Sequence, residues 1–125
     1  YVTPGKENVG RIDAINAETG DTVWSYEQPA GLYSPVMATA GGLLFTGGVD
    51  RYFRALDQET GEAVWQTRLP ATVHGHASTF EVDGRQYIAI LSGGALAGGE
   101  VINASPADTD GPTGSNAVFV FALPN

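Results

Sequence analysis

Residues 14–24 (Ala14-Ile15-Asn16-Ala17-Glu18-Thr19-Gly20-Asp21-Thr22-Val23-Trp24) return almost unchanged 41 positions later as residues 55–65 (Ala55-Leu56-Asp57-Gln58-Glu59-Thr60-Gly61-Glu62-Ala63-Val64-Trp65). Ala, Thr, Gly, Val and Trp all keep phase, which two unrelated hairpins would not do. Each copy has a mechanical reading. Apolar residues alternate up to the turn, Ile12 and Ala14 in one copy and Phe53 and Ala55 in the other, as in a strand with one buried face. Asn16 or Asp57 can accept backbone N–H bonds from two or three residues on, and Gly20 or Gly61 can take the positive φ that reverses the chain. A second strand follows, and its Trp presents a large flat area that can dock one repeat on the next.

A period near forty, with turn residues and Trp in phase, is that of four-stranded propeller blades. Strands are expected over 10–15, 22–26, 34–39, 43–46, 52–56, 63–67, 73–80, 85–91 and 117–123, with Asp83-Gly84 as a hairpin turn. Between 92 and 116 the chain is rich in Gly, Ala, Ser, Asp and Pro and has no period; loops this long serve a site or are disordered. The fold class read from this pattern is all-β, a partial β-propeller. It comprises the end of one blade (1–29), one full blade (30–70) and most of a last blade (71–125, with its long loop at 92–116). Sheets lacking strands have open edges that aggregate unless paired. The missing strands are therefore expected from another chain or from the rest of a precursor. The start at Tyr1, without Met or a signal peptide, is expected of a processed product or a piece of a longer chain.

Charge and composition narrow the partners. The 14 acidic against 6 basic side chains among 125 residues give a net charge of −8, which disfavours nucleic acid and anionic membrane as partners. With no Cys, the chain offers no disulfide, thiolate metal site or Cys nucleophile. No run approaches the roughly 18 apolar residues of a membrane span; the most apolar stretch, Tyr87 to Leu91, is strand-length.

Several runs together carry a resemblance. They are Ala-x-Asp-x-x-Thr-Gly-x-x-x-Trp, the run from Met37 to Gly47 leading into Asp50 to Asp57, the segment Asp83 to Ala89, and the ending Phe121-Ala122-Leu123-Pro124. In this order they resemble the C-terminal part of the pyrroloquinoline-quinone (PQQ) dependent dehydrogenases, eight-bladed propellers of the bacterial periplasm that oxidise alcohols, sugars or polyols. The resemblance covers nearly the whole chain. It implies a quinone lying flat in a funnel on the propeller axis, a Ca2+ or similar ion polarising its carbonyl, a carboxylate base, and in some members a cytochrome c as electron acceptor. The family's metal ligands, catalytic Asp and paired cysteines belong to earlier blades, and no position here matches them. No catalytic and no metal-ligating residue is therefore assigned within this chain.

What the resemblance carries over is limited. Tyr33 falls where the methanol-oxidising branch places a Trp that stacks on the quinone; a Tyr packed in the blade is the alternative. Gly93, Gly94 and Ala95 fall on the glycine-rich loop whose backbone approaches the quinone, although Ala97 stands near where relatives carry a second Trp. The plain alternative is a flexible loop. His74 and His76, which the family does not keep, flank Gly75 near the first strand of the last blade. They are candidates for the substrate pocket, with surface or structural roles as the alternative, and an alternating pair on a strand can also face one metal. Asp108-Thr109-Asp110-Gly111 has the look of a calcium loop, but Pro112 takes a ligand position and no Glu closes it, so a solvated acidic loop is expected. Arg51, Arg54, Asp57 and Glu59 read as a surface charge network. Two further function classes stay open beside the enzyme. One is a non-enzymatic propeller scaffold, like an outer-membrane assembly lipoprotein with the same Trp repeat; the other is a self-assembling structural ring.

Overall fold

The repeat folds twice into the same hairpin. In the computed structural model, which describes residues 7–93 and 116–124, strand β1 (Gly10–Ile15) pairs antiparallel with β2 (Thr22–Gln28), placing Ala14 opposite Trp24. Forty-one residues on, β5 (Tyr52–Asp57) pairs with β6 (Ala63–Arg68), placing Ala55 opposite Trp65. Both pairs shift register at the residue after that Ala. The two turns agree bond for bond. Asn16 Oδ1 accepts from the amides of Glu18 and Thr19 at 2.8 and 3.2 Å, and Asp57 Oδ1 accepts from those of Glu59 and Thr60 at 2.8 and 2.9 Å. Gly20 and Gly61 then take φ of 78° and 75°. These are the roles expected of an Asx turn followed by a left-handed residue.

Around this hairpin the described residues form three antiparallel sheets. The first holds β1 and β2 alone. The second adds β3 (Met37–Ala38) and β4 (Leu43–Gly47), in the order β3-β4-β5-β6. The third is β7 (Ser78–Val82), β8 (Arg85–Ser92) and β9 (Ala117–Ala122), in that order. β7 and β8 are joined at Asp83-Gly84, both at positive φ, which matches the right-handed twist of paired strands. There is no helix among the described residues.

Two expected strands are shorter than the sequence suggests. The region 34–39 keeps only Met37 and Ala38 in the ladder, and 73–80 enters it at Ser78. Pro35 has no N–H to give, and Gly75 contributes no side chain to hold a strand. The backbone groups ahead of β3 and β7 instead bond across between sheets and loops. Ser34 N donates to Gly47 O at 3.3 Å, Val49 N to Gly31 O at 3.0 Å, Val73 N to Gly48 O at 3.2 Å and Gly93 N to Thr72 O at 3.0 Å. Val73 N thus ties the segment ahead of β7 to the β4–β5 turn, and Ser34 Oγ, donating to Gly75 O at 2.8 Å, stitches the segments ahead of β3 and β7 to each other.

The main core lies between the second and third sheets. Phe45, Phe53, Ala55, Leu69, Val73, Ile88 and Ile90 are buried there, with Met37, Phe119, Phe121 and Leu123 packed against them. Each large apolar side chain so buried is worth roughly 1.5–3 kcal/mol. The first and second sheets meet differently. Trp24 Nε1 donates to Gln58 O at 3.0 Å, and the Trp24 ring lies against Gly61, so closely that no Cβ fits there. The opposite face of the first sheet is polar and exposed: Arg11 Nε donates to Asp13 at 2.9 Å and Nη1 to Glu27 at 3.3 Å.

Arg54 corrects an expectation. It does not join Asp57 and Glu59 in a surface network but is buried, its side chain 7% exposed and paired through both Nη atoms with Asp50, itself 13% exposed. Arg54 also lies 5.0 Å over the Tyr52 ring. Strand alternation explains the difference. Arg54 is on the face that the second sheet turns toward the first, where Tyr26 is pushed up in pKa chiefly by burial, with Asp50 adding to the rise and Arg54 opposing it. Asp57 instead caps its turn from the strand end, and Glu59 is exposed.

Candidate functional site at the β3 and β7 edge

The segments that carry three of the residues singled out from sequence, Tyr33, His74 and Gly93, lie along the stitched edge. Tyr33 precedes β3 in an extended segment anchored by the bridge from Leu32 to Gly48, and its side chain is 41% exposed. His74 precedes β7 in a segment anchored by the bridge from Val73 to Ser92. Gly93 directly follows Ser92, so it flanks the His74 segment on the other side. The two segments are tied to each other: Ser34 Oγ donates to Gly75 O at 2.8 Å. Ser92 is fully buried, and its Oγ donates to Ala71 O at 2.9 Å, holding the start of the glycine-rich loop against the His74 segment.

Each residue then offers a defined group. Tyr33 presents a partly exposed ring. His74 is half-buried, and its Nδ1 is buried with no hydrogen-bond partner among the described residues. With Nδ1 closed off by burial, Nε2 is the ring nitrogen left to meet a ligand. Gly93 stands at φ 124°, a conformation that side chains rarely adopt. Its N–H is already committed to Thr72 O, so what it can show a ligand is a bare Cα and a carbonyl. His76 is exposed. Gly94, Ala95 and the acidic loop around Asp108 lie outside the described residues.

A flat ring, an imidazole donor and a side-chain-free backbone corner suit the edge of a planar, oxygen-rich group. A metal is another matter. Among the described residues no set of three or more His, Asp or Glu is arranged to hold one. Sequence reasoning missed Ser34, the residue that joins the Tyr33 and His74 segments. The signal was present in the period itself, since 41 residues separate Tyr33 from His74 and Ser34 from Gly75.

Comparison with known proteins identifies the architecture and the family. Residues 30–88 match the family model described as PQQ: Glucose/ethanol/alcohol dehydrogenase, beta-propeller domain. The chain is 35% identical over 124 residues, 95% of its length, to the quinoprotein ethanol dehydrogenase of Pseudomonas aeruginosa. It is 35% identical over 91 residues, 73% of its length, to methanol dehydrogenase [cytochrome c] subunit 1 of Paracoccus denitrificans. Among solved structures, a europium-containing methanol dehydrogenase superposes on 95% of the chain with a TM-score of 0.79 at 29% identity. The molecule is thus an all-β partial β-propeller, with the end of one blade, one full blade and most of another. The chain belongs to the PQQ-dependent dehydrogenase family. It spans 19% and 14% of the length of the two relatives and 24% of the solved chain.

Proposed function

We propose that this chain supplies the C-terminal blades of a PQQ-dependent dehydrogenase that oxidises an alcohol, sugar or polyol, the remaining blades coming from another chain or the rest of a precursor. PQQ, when bound, supplies the hydride acceptor. Tyr33 and the backbone from Gly93 through Gly94 and Ala95 line the quinone side of the funnel, and His74 and His76 line the substrate side. The carboxylate base and the Ca2+ or similar ion belong to the companion blades. By likeness to the relatives, the assembled enzyme works in the periplasm and passes electrons to a cytochrome c.

The observation that carries this reading is that the segments bearing Tyr33, His74 and Gly93 run along one edge, in a chain similar to quinoprotein dehydrogenases over 95% of its length. In a propeller the first strand of each blade lies nearest the axis, so that edge is where a funnel opens. This chain's own part is to bind and orient: a ring face, a donor and a bare backbone hold groups in place, while the redox chemistry belongs to the cofactor. Native mass spectrometry of the purified material, with the absorption spectrum of released small molecules, tests the reading. A larger companion and a bound quinone are expected. A ring of identical copies without quinone would return the chain to the scaffold class.

A further inference from the structure

Tyr33 and His74 hold the same place in successive repeats. Each follows a residue that makes an isolated bridge, Leu32 to Gly48 in one case and Val73 to Ser92 in the other. The carbonyl one residue further back is bound alike in both, Gly31 O by Val49 N and Thr72 O by Gly93 N, each at 3.0 Å. They are therefore two neighbouring stations around the same rim, one bearing a phenol and the other an imidazole.

Ser34 sits between them and is 6% exposed, with every polar group engaged. Its N–H donates to Gly47 O at 3.3 Å, and its carbonyl accepts from Thr46 Oγ1 at 3.3 Å. Its hydroxyl has one proton and two carbonyls in reach, Gly75 O at 2.8 Å and Pro35 O at 3.4 Å; the nearer, in the other repeat, is the better acceptor. Gly75 follows His74 as Ser34 follows Tyr33. One hydroxyl thus spans the gap between the two stations, from a residue that presents nothing to a ligand itself.

We propose that Ser34 is a positioning residue that holds Tyr33 and His74 in fixed relation against one occupied funnel, Tyr33 toward the quinone and His74 donating from Nε2 to an oxygen of the substrate. This rests on the dehydrogenase reading. Its consequence is specific. A change at Tyr33 should act on quinone binding and one at His74 on substrate KM, but loss of the Ser34 hydroxyl should act on both at once.

The test uses the assembled enzyme with Ser34→Ala and Ser34→Thr. Three quantities are measured: amide exchange at Gly75, His76 and Ala77 in the quinone-free protein, the quinone dissociation constant, and KM for the alcohol. For Ser34→Ala, exchange at those amides should rise, and both binding constants should weaken by about five- to tenfold, the scale of one buried hydrogen bond. Ser34→Thr keeps the hydroxyl and should restore the coupling. Should Ser34→Ala fail to assemble, the exchange and binding of Ser34→Thr decide alone: wild-type coupling supports the role, and weakened coupling despite the retained bond overturns it. Unchanged exchange, or a shift in only one of the two constants, overturns the positioning role while leaving the dehydrogenase reading intact. A wild-type assembly that takes up no quinone overturns the dehydrogenase reading, and with it the ligands named here.

Discussion

The two seams between sheets are built from the same repeat and held by opposite means. Between the first and second sheets the contacts are directional. Trp24 Nε1 donates across to Gln58 O, and the polar groups lining the seam are engaged on their own sides: Tyr26 Oη donates to Gln28 Oε1 at 3.1 Å, Gln28 Nε2 donates to Ala30 O at 2.9 Å, and Arg54 pairs with Asp50. Between the second and third sheets the seam is aromatic. Phe53 stands 5.8 Å from Phe45 and 5.9 Å from Phe121, and Trp65 packs edge-on at 5.3 Å from Phe121. The repeated tryptophans show the contrast in miniature. Trp24 is docked on the next repeat's turn, while Trp65 is 40% exposed, with no fourth strand beside β9 among the described residues. Apolar burial is nondirectional and supplies cohesion; hydrogen bonds and a buried ion pair penalise misalignment and so supply register.

The largest expected effect breaks the aromatic seam. Phe53 is fully buried and touches Phe45, Trp65 and Phe121, so Phe53→Ala should cost about 3–5 kcal/mol in denaturant unfolding of the assembled protein. The polar seam should answer differently to two changes at one position. Arg54→Ala strands the Asp50 carboxylate, largely buried, and should cost roughly 3 kcal/mol. Replacing both partners at once, as Arg54→Met with Asp50→Leu, removes the charge along with its partner and should recover much of that loss. If the double variant is no better than Arg54→Ala, the pair contributes more than mutual neutralisation. The comparison would then shift toward Arg54 stacking on Tyr52.

How much of this was legible in the sequence follows from what a repeat can and cannot report. Period and turn chemistry are local, so both Asx turns and the outer strands fell where the alternation of Ile12-Ala14 and Phe53-Ala55 placed them. The edge strands were overestimated because an apolar run does not show that Pro35 withholds a donor or that Val73 N bonds to the neighbouring sheet. The burial of Arg54 was illegible for a related reason. Its counterpart in the first copy is Asp13, exposed and held below the usual carboxylate range first by the Ser25 hydroxyl and then by Arg11, so the same register position is solvent-facing in one sheet and seam-facing in the next. At the candidate site, Tyr33, His74 and Gly93 were named one by one. The joining of the segments that carry Tyr33 and His74 depends on Ser34 and Gly75, which no single-residue motif marks.

The docking of Trp24 can be sharpened with two glycines that share a conformation. Gly20 and Gly61 both have positive φ, so alanine at either costs about 1–2 kcal/mol for the left-handed backbone. Only at Gly61 would the new Cβ also meet the Trp24 ring; at Gly20 it meets open space. Gly61→Ala should therefore cost about 1–3 kcal/mol more than Gly20→Ala, as for overpacking, and should shift Trp24 fluorescence, which Gly20→Ala should not. Equal costs would mean that the indole rests on the turn without depending on it.

The smallest effect separates the turns by pH. Asp57 is held below the usual carboxylate range, first by the Thr60 amide and then by that of Glu59, whereas its counterpart Asn16 does not titrate. A carboxylate with a depressed folded pKa stabilises fully above its unfolded value, near 3.8, and loses that contribution as pH falls through the folded value. Acidification through and below about pH 4 should thus lower the protection of the Glu59 and Thr60 amides, relative to their intrinsic exchange at each pH, while that of Glu18 and Thr19 holds. Because Trp24 bonds to Gln58 O within the same turn, its emission should follow the Asp57 titration. Asp57→Asn should abolish the pH response at both probes; a response that persisted would assign it to another carboxylate at the seam and detach the dock from its turn.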